Sequence, residues 1–387
     1  MTGAELRGMP WKEHLAMDIR EQFVLRARAP GSNVAELCRQ QGISRKTGYK
    51  WLSRYDARGV EGLHDMSRRP HRLTTTSAEH VLLIAEARRT HPTWGSRKIR
   101  KWVERRAGGV VPTARTIDRI LERLGLRDPR AKRRPTPARR AGTPPRGDVR
   151  APNDEWTADF KGWWKTRGGV RVEPLTIRDA FSRFVFATTL VESTTLAAVR
   201  REFQRLFEEH GLPKRIRVDN GQPFASTTSR GGLTKLSAWW VSLGIELVRG
   251  RPGHPQDNGA HERMHADMAR ELQRSPARTR AAQQRLCEAW RRTFNEERPH
   301  EALGLRTPSE VYRHSPRPYL GPKPVHGRGL VRSVSIKGQI YLRGKLVFVS
   351  ESLAGQKIHL ESVDVGSMRI WFYGLDLGLL QVPRVAA

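Results

Sequence analysis

Cysteine is nearly absent from the 387 residues: Cys38 and Cys287 are the two, each within a helical pattern and neither at a metal-ligand spacing. That excludes a disulfide framework and a thiolate zinc site, and it fits a reducing, intracellular setting. Long apolar runs are missing too. No stretch approaches the roughly 20 residues that a membrane-spanning helix requires, and the amino terminus carries no signal-peptide pattern. The expectation is a non-exported, cytoplasmic protein with no membrane partner. Acids are scarce, with 39 Asp and Glu against 71 Lys and Arg, for a net charge of +32. A field of that sign draws polyanions, and nucleic acid is the first candidate. Most of the cations are arginine, whose planar fork suits phosphate oxygens and guanine edges better than an ammonium does.

What is present falls into blocks, and the length suits two to four domains. Residues 11–29 carry Leu15, Ile19 and Phe23 at helical spacing. After Pro30-Gly31, Ser32 is placed to cap a helix through VAELCRQQ, and Gly42-Ile43-Ser44 turns the chain into RKTGYKWLSRYDARG. This is the order of a helix-turn-helix, in which Arg45, Lys46, Thr47 and Lys50 open the helix that enters the major groove. A plain helical hairpin reads the same way in isolation; the surrounding charge favours DNA. A second three-helix module follows. It comprises residues 77–90, with Val81, Leu82, Ile84 and Ala85 on one face, then WGSRKIRKWVERR, then a helix opened by Pro112-Thr113-Ala114-Arg115. Its expected DNA-facing residues are Arg97, Lys98, Arg115 and Arg119. The plan is therefore tandem all-α modules at 1–66 and 77–127, a basic linker at 67–76, and a Pro/Arg-rich linker at 128–152 that cannot bury a core.

From Asn153 the pattern changes to an α/β domain, bounded at 153–315. WTADFKGWW, VRVEPLTIRDA and SRFVFATTL read as a meander of strands. A helix follows, capped by Ser193 or Thr194, with Leu196, Val199, Phe203 and Leu206 on one face, and then the strand RIRVD. A crossover helix is what parallel pairing requires, so this strand is expected beside an earlier one. FASTTSRGGL reads as a polar surface insertion, and a long helix begins near Gly259. At 325–387 the short β-like runs predict a small SH3-like barrel.

The acids carry the chemistry. Asp159 lies on the face of the first strand opposite Trp156, Ala158 and Phe160, and Asp219 ends the RIRVD strand in an Asn-Gly turn. Glu262 lies one turn into the helix after HPQDNG. Carboxylates from neighbouring strands and a covering helix repel one another unless cations neutralise them. Hard divalent ions such as Mg²⁺ take such oxygen ligands, and a pair about 4 Å apart activates a water or 3′-hydroxyl on one side of a phosphodiester and stabilises the leaving oxygen on the other.

WTADFKG, RVDNGQPF, GHPQDNGAHER and FNEERPHEALGLRTPSEVY together resemble the DDE transposase and retroviral-type integrase superfamily, particularly bacterial insertion-sequence transposases of the IS3/IS481 type. The resemblance covers about 150 residues, from Asn153 to Tyr312. It implies an RNase H-like catalytic fold in which Asp159, Asp219 and Glu262 are the catalytic and metal-binding triad for two Mg²⁺ ions, with Mn²⁺ able to substitute. It further implies a DNA transposase that binds terminal inverted repeats, exposes a 3′-OH and joins it to target DNA, as a dimer or tetramer in a bacterial, nucleoid-associated setting. A non-catalytic DNA-binding regulator and an RNase H-like nuclease are the alternatives. One departure is the spacing: 42 residues lie between positions 219 and 262, against about 35 in the family, and the extra length falls in ASTTSRGG, where insertions cost little.

Neighbouring polar residues have plainer readings. Asp179 sits at a turn and is expected to bond locally, and Asp257 is expected to be a turn or cap residue. Asn220 is placed in the active site by the resemblance, without a fixed role. His254 is expected to be auxiliary, shaping the loop or touching DNA, and His261 is left open between ligand and structural roles. Arg298, Pro299 and His300 are expected to dock or cap the last helix, and Trp163, Trp164, Trp239 and Trp240 to serve core or interface.

Overall fold

The computed structural model describes residues 13–66, 76–127, 149–191, 196–250, 259–324 and 329–382. The chain divides into two compact units, 1–75 and 76–387.

The first unit is a three-helix module of α1 (Glu13–Ala27), α2 (Val34–Gln40) and α3 (Arg45–Arg58), closed on Phe23, Val24, Cys38, Trp51 and Leu63. Gly42 ends α2 with φ 64°, a left-handed conformation that glycine adopts without a side-chain penalty. Ser44 then caps α3, its hydroxyl accepting from the Thr47 N–H at 3.1 Å. The cap of α2 is Asn33 rather than Ser32: the Asn33 amide oxygen accepts from Ala35 and Glu36, while the Ser32 hydroxyl donates to Ala27 O at 2.6 Å. Ser32 stands one residue too early to reach the free amides of the first turn. Ile19 is partly exposed, and the core turns to Phe23 and Val24 instead. Residue 48 must be small, because a Cβ there would lie 2.5 Å from Cys38 Sγ and 2.9 Å from Phe23 Cζ.

The second unit opens with α4 (Ala78–Thr90), α5 (Ser96–Glu104) and α6 (Ala114–Arg123), packed through Ile84, Trp94, Ile99, Trp102, Ile117 and Ile120. The α/β domain follows. Its elements are β1 (Glu155–Phe160), the short hairpin of β2 (Trp164–Lys165) and β3 (Arg171–Val172), β4 (Pro174–Asp179), β5 (Val185–Leu190), α7 (Leu196–His210), β6 (Arg215–Val218), α8 (Lys235–Ser242), β7 (Glu246–Arg249), α9 (Gly259–Met268), α10 (Arg280–Arg292) and α11 (Pro308–Val311). The sheet order is β5-β4-β1-β6-β7. β1, β4 and β5 form the antiparallel meander, and β6 and β7 join in parallel because α7 and α8 carry the chain back across the sheet. One face buries Trp156, Ala158, Ile177, Ile216 and Val218 beneath Phe203 and Phe207 of α7 and Trp239 and Trp240 of α8. The other is covered by α9 and α10 through Met264, Met268, Cys287 and Trp290. The strand-end acids lie on this second, more polar face.

The carboxy-terminal strands are β8 (Leu330–Ser333), β9 (Gln339–Leu342), β10 (Lys345–Phe348), β11 (Lys357–Ser362), β12 (Ser367–Phe372) and β13 (Leu375–Gln381). They form a four-stranded antiparallel sheet, β13-β12-β11-β8, and a separate β9-β10 hairpin. No closed barrel forms among the described residues, which corrects the expected SH3-like barrel. Alternating apolar residues specify strands with one buried face, whereas closure depends on edge-to-edge hydrogen bonding that no alternation encodes. The two sheets share a core of Ile340, Leu342, Ile358, Leu360, Ile370 and Phe372, to which Leu233, Ala238 and Val241 of the α/β domain contribute. The insertion read as a free surface loop is part of this junction: Arg230 donates to Leu377 O and Leu379 O, at 3.3 and 3.0 Å.

Candidate active site

Strand register brings the first two acids together. In the parallel pairing of β1 and β6, Glu155 stands opposite Arg215, Trp156 opposite Ile216 and Thr157 opposite Arg217, so Asp159 is level with Asp219 one step past the end of β6. Side chains alternate along a strand, so Glu155, Thr157 and Asp159 share a face with Arg215, Arg217 and Asp219, on strands about 4.8 Å apart. The basic residues leading to Asp219 are used within the fold. The Glu155 carboxylate, 3% exposed as a residue, accepts from Arg215 Nε at 3.0 Å and from Arg217 Nε and Nη2 at 2.8 and 3.1 Å, while Lys214 pairs with Asp154 at 2.7 Å. These pairs lock β6 to β1 and fix where its last residue emerges.

Helix α9 covers this face and supplies the third acid. Arg178 of β4 donates to Ala260 O at 2.8 Å and anchors the first turn. His261, buried, bonds Thr157 Oγ1 through Nδ1 at 2.8 Å and Thr176 Oγ1 through Nε2 at 2.6 Å. His265 Nε2 meets the same Thr176 hydroxyl at 2.8 Å, and that hydroxyl donates to Asp159 O at 2.9 Å. The two histidines set the rotation of α9, and Glu262 between them emerges exposed. Burial pushes the His265 imidazole down to about 3, with Lys161 and Arg178 adding to it, and holds His261 well below the usual histidine range. Both shifts favour the neutral ring.

Asp159 is the electrostatically frustrated group. Burial first, then the Asp219 and Glu262 carboxylates, push it up to about 7, against a hydrogen bond from Phe160 N–H and the positive charge of Lys161. A carboxyl that its own surroundings discourage from ionising, facing two more acids, is a donor set lacking positive charge, which suits a hard divalent cation. Among the described residues, the group of three donors whose ligand atoms lie within 4.8 Å of one another is Asp159, His261 and His265. The three carboxylates do not form such a group, although Asp219 and Glu262 both act on Asp159.

Of the remaining expected residues, Asn220 ties down the end of β7, its amide donating to Gly250 O at 2.9 Å. His254 and Asp257 lie outside the described residues, as do Ser193 and Thr194. Asp179 is structural: its carboxylate accepts from Asn153 N–H and from the N–H and hydroxyl of Ser182. Arg298 is buried against Asp267 and Glu271, and its N–H closes the turn after α10 on Thr293 O. Trp164, Trp239 and Trp240 are core, whereas Trp163 is exposed beneath the Arg171 guanidinium. Arg45, Lys46 and Lys50 are exposed on α3, with Thr47 half-buried beside Ser44, and Arg115 and Arg119 are exposed on α6. Arg97 is exposed 3.9 Å from the Glu301 carboxylate. Lys98 is half-buried, and its ammonium is pushed down to about 8 by burial and then by Arg298. Helix α5 thus faces the α/β domain, alongside the Thr93–Glu271 and Arg105–Glu310 hydrogen bonds of 2.5 and 2.8 Å. Sequence reasoning passed over Glu155, Thr157, Thr176 and His265. The i, i+4 spacing from His261, on the covered face of α9, was the available signal for one of them, His265.

Comparison with known proteins agrees with this architecture. Residues 149–255 and 243–308 match the integrase core domain, 19–71 a helix-turn-helix domain and 47–121 a homeodomain-like domain. The chain is 29% identical over 282 residues to the insertion element IS407 uncharacterized 31.7 kDa protein of Burkholderia multivorans, covering 72% of this chain and 90% of that one. It is 27% identical over 285 residues to the insertion element IS476 uncharacterized 39.2 kDa protein of Xanthomonas euvesicatoria, covering 72% and 78%. Among solved structures, the simian T-cell lymphotropic virus intasome in complex with PP2A regulatory subunit B56 gamma aligns over 78% of this chain and 95% of the matched chain, at 16% identity and a TM-score of 0.36. The HTLV-2 integrase catalytic core domain in complex with magnesium aligns over 42% and 98%, at 16% identity and a TM-score of 0.31. The integrase core match, with helix-turn-helix matches before it in the chain, supports a polynucleotidyl transferase superfamily fold. The integrase core matches and the insertion-element relatives support a DDE transposase/integrase superfamily protein of the insertion-sequence type. Among the described residues no helix is long and apolar enough to cross a membrane.

Proposed function

We propose that the protein is a DNA transposase that binds the terminal inverted repeats of its element, hydrolyses a phosphodiester to expose a 3′-OH, and joins that end to target DNA. The observation that carries this reading is the parallel β1–β6 register, which sets Asp159 level with Asp219 in a chain whose net charge is +32; burial and the neighbouring carboxylates push Asp159 upward. A strongly basic protein with Asp159 and Asp219 on neighbouring strands and Glu262 on the helix covering them would separate two tasks: arginines to hold the polymer, and the acids to serve its chemistry. Asp159 and Asp219 would hold divalent ions from adjacent strand ends, and Glu262 would complete the set from α9. Two Mg²⁺ ions, or Mn²⁺ in their place, would supply activation of the attacking oxygen and neutralisation of the leaving one. Asn220 shapes the loop after β6, and His254 serves the neighbouring loop. In the first unit helix α3, through Arg45, Lys46, Thr47 and Lys50, binds repeat DNA; in the second, helix α6, through Arg115 and Arg119, does so with Arg97 of α5. Two ends must be joined, so the working form is a homodimer or tetramer on double-stranded DNA, in the cytoplasm at the nucleoid.

The test is incubation of the full chain with labelled repeat-end DNA and Mg²⁺. Strand-transfer products are expected, and Asp219→Asn should abolish them while leaving DNA binding intact. Cleavage without joining would favour a nuclease, and salt-sensitive binding with neither would favour a DNA-binding regulator. Joining retained in Asp219→Asn would reject the triad.

A further inference from the structure

The hydrogen-bond roles around Thr176 are determined by proton count. Its hydroxyl has one proton and two lone pairs. The proton goes to Asp159 O, since a carbonyl can only accept. Both imidazoles that meet this oxygen, His261 at 2.6 Å and His265 at 2.8 Å, must therefore donate to it through Nε2–H. In a neutral ring the other nitrogen is then an acceptor. For His261 that nitrogen is taken by the Thr157 hydroxyl. For His265 it faces the Asp159 carboxylate: Nδ1 stands 3.9 Å from Oδ2, with the side chains 11% and 24% exposed. That separation is too long for a hydrogen bond, which ends near 3.2 Å. One ion can span it: at metal–ligand distances of about 2.1 Å, two donors on a common ion stand up to about 4.2 Å apart.

We propose that His265 Nδ1 joins Asp159 as a ligand of one divalent ion, with Thr176 and His261 as positioning residues that fix the tautomer and direct the ring. The inference rests on the metal-binding reading above and extends its donor set beyond the three carboxylates. An imidazole nitrogen is a poor ligand for Mg²⁺ and a good one for first-row transition ions, so this position selects Mn²⁺ over Mg²⁺.

The experiment uses the full chain loaded with Mn²⁺ and read by pulsed electron paramagnetic resonance. The wild type is expected to show ¹⁴N coupling to bound Mn²⁺, replaced by the ¹⁵N pattern when histidine alone is ¹⁵N-labelled. This comparison needs no variant and so does not depend on one folding. His265→Asn, which keeps a polar group for Thr176, should lose the coupling and weaken one Mn²⁺ at least 10-fold, as removing a ligand does. His254→Asn should retain the coupling. Mn²⁺ bound without histidine nitrogen coupling, or coupling that disappears in His254→Asn and persists in His265→Asn, would overturn the assignment and leave the carboxylate site standing. Failure of the wild type to bind Mn²⁺ at all would overturn both.

Discussion

Replacing Asp159 with Asn should stabilise the metal-free protein. The fold raises this carboxyl from 3.8 to about 7, so the charged form is disfavoured in the folded chain relative to the unfolded one. For an acid shifted upward, the cost of ionisation is fully present above the folded value and fades as pH falls toward the unfolded one. At 1.36 kcal/mol per pKa unit, the penalty at pH 8 is on the order of 4 kcal/mol, and at pH 5 it has fallen to about 1.6 kcal/mol. Asn keeps a group of the same shape, able to accept from Phe160 N–H, and removes the charge. The assay is urea unfolding with chelator, followed by tryptophan fluorescence at pH 5 and pH 8. Buried His261 and His265 titrate in both proteins, so their effects largely cancel in the difference. The Asp159→Asn variant should exceed wild type by a few kcal/mol at pH 8 and by much less at pH 5. Adding Mn²⁺ should reverse the order, because an ion bound only by the folded wild type stabilises it by mass action. A variant no more stable than wild type at pH 8, or a gain independent of pH, would refute the electrostatic argument.

Other substitutions probe the scaffold and the DNA surface. Glu155→Ala leaves Arg215 and Arg217 without their shared carboxylate and should cost about 3–5 kcal/mol in the same unfolding assay. Gly48→Ala drives a methyl group into Cys38 and Phe23 and should destabilise the amino-terminal unit by about 1–3 kcal/mol; Cys38→Ala in the same chain should recover part of that loss. Alanine at Arg45, Lys46 or Lys50 should weaken repeat-DNA binding and lower the slope of log K against log salt by about 1 for each phosphate no longer neutralised, measured by fluorescence anisotropy.

Much of this was legible because local rules and the fold agree. The Gly42 turn, the Ser44 and Thr113 caps and the apolar spacing of α7 each state their structure in a few residues. The crossover helix also announced that the RIRVD strand pairs in parallel with an earlier one; the structure makes that strand β1, which brings Asp159 and Asp219 level. What stayed hidden depends on contacts distant in sequence. Arg215 and Arg217 carry no local signal of a partner, which is Glu155, 60 and 62 residues earlier. Lys98 looks equally free until Asp267, Glu271 and Glu301 gather around it. His265 was passed over, because its relation to Asp159 is made through Thr176, on a third element. The carboxy-terminal strands were readable one by one, but their failure to close into a barrel was not, since hydrogen bonding between edges leaves no trace in alternation.

The central claim concerns Asp159, Asp219 and Glu262 as the holders of divalent ions beside DNA. Its most direct test is a structure of the full chain bound to its repeat-end DNA and soaked in Mn²⁺, with anomalous scattering locating the metal. Two peaks within coordinating distance of these three side chains are expected. DNA ends held in place with Mn²⁺ elsewhere, or with any of the three carboxylates turned away from the ions, would contradict it.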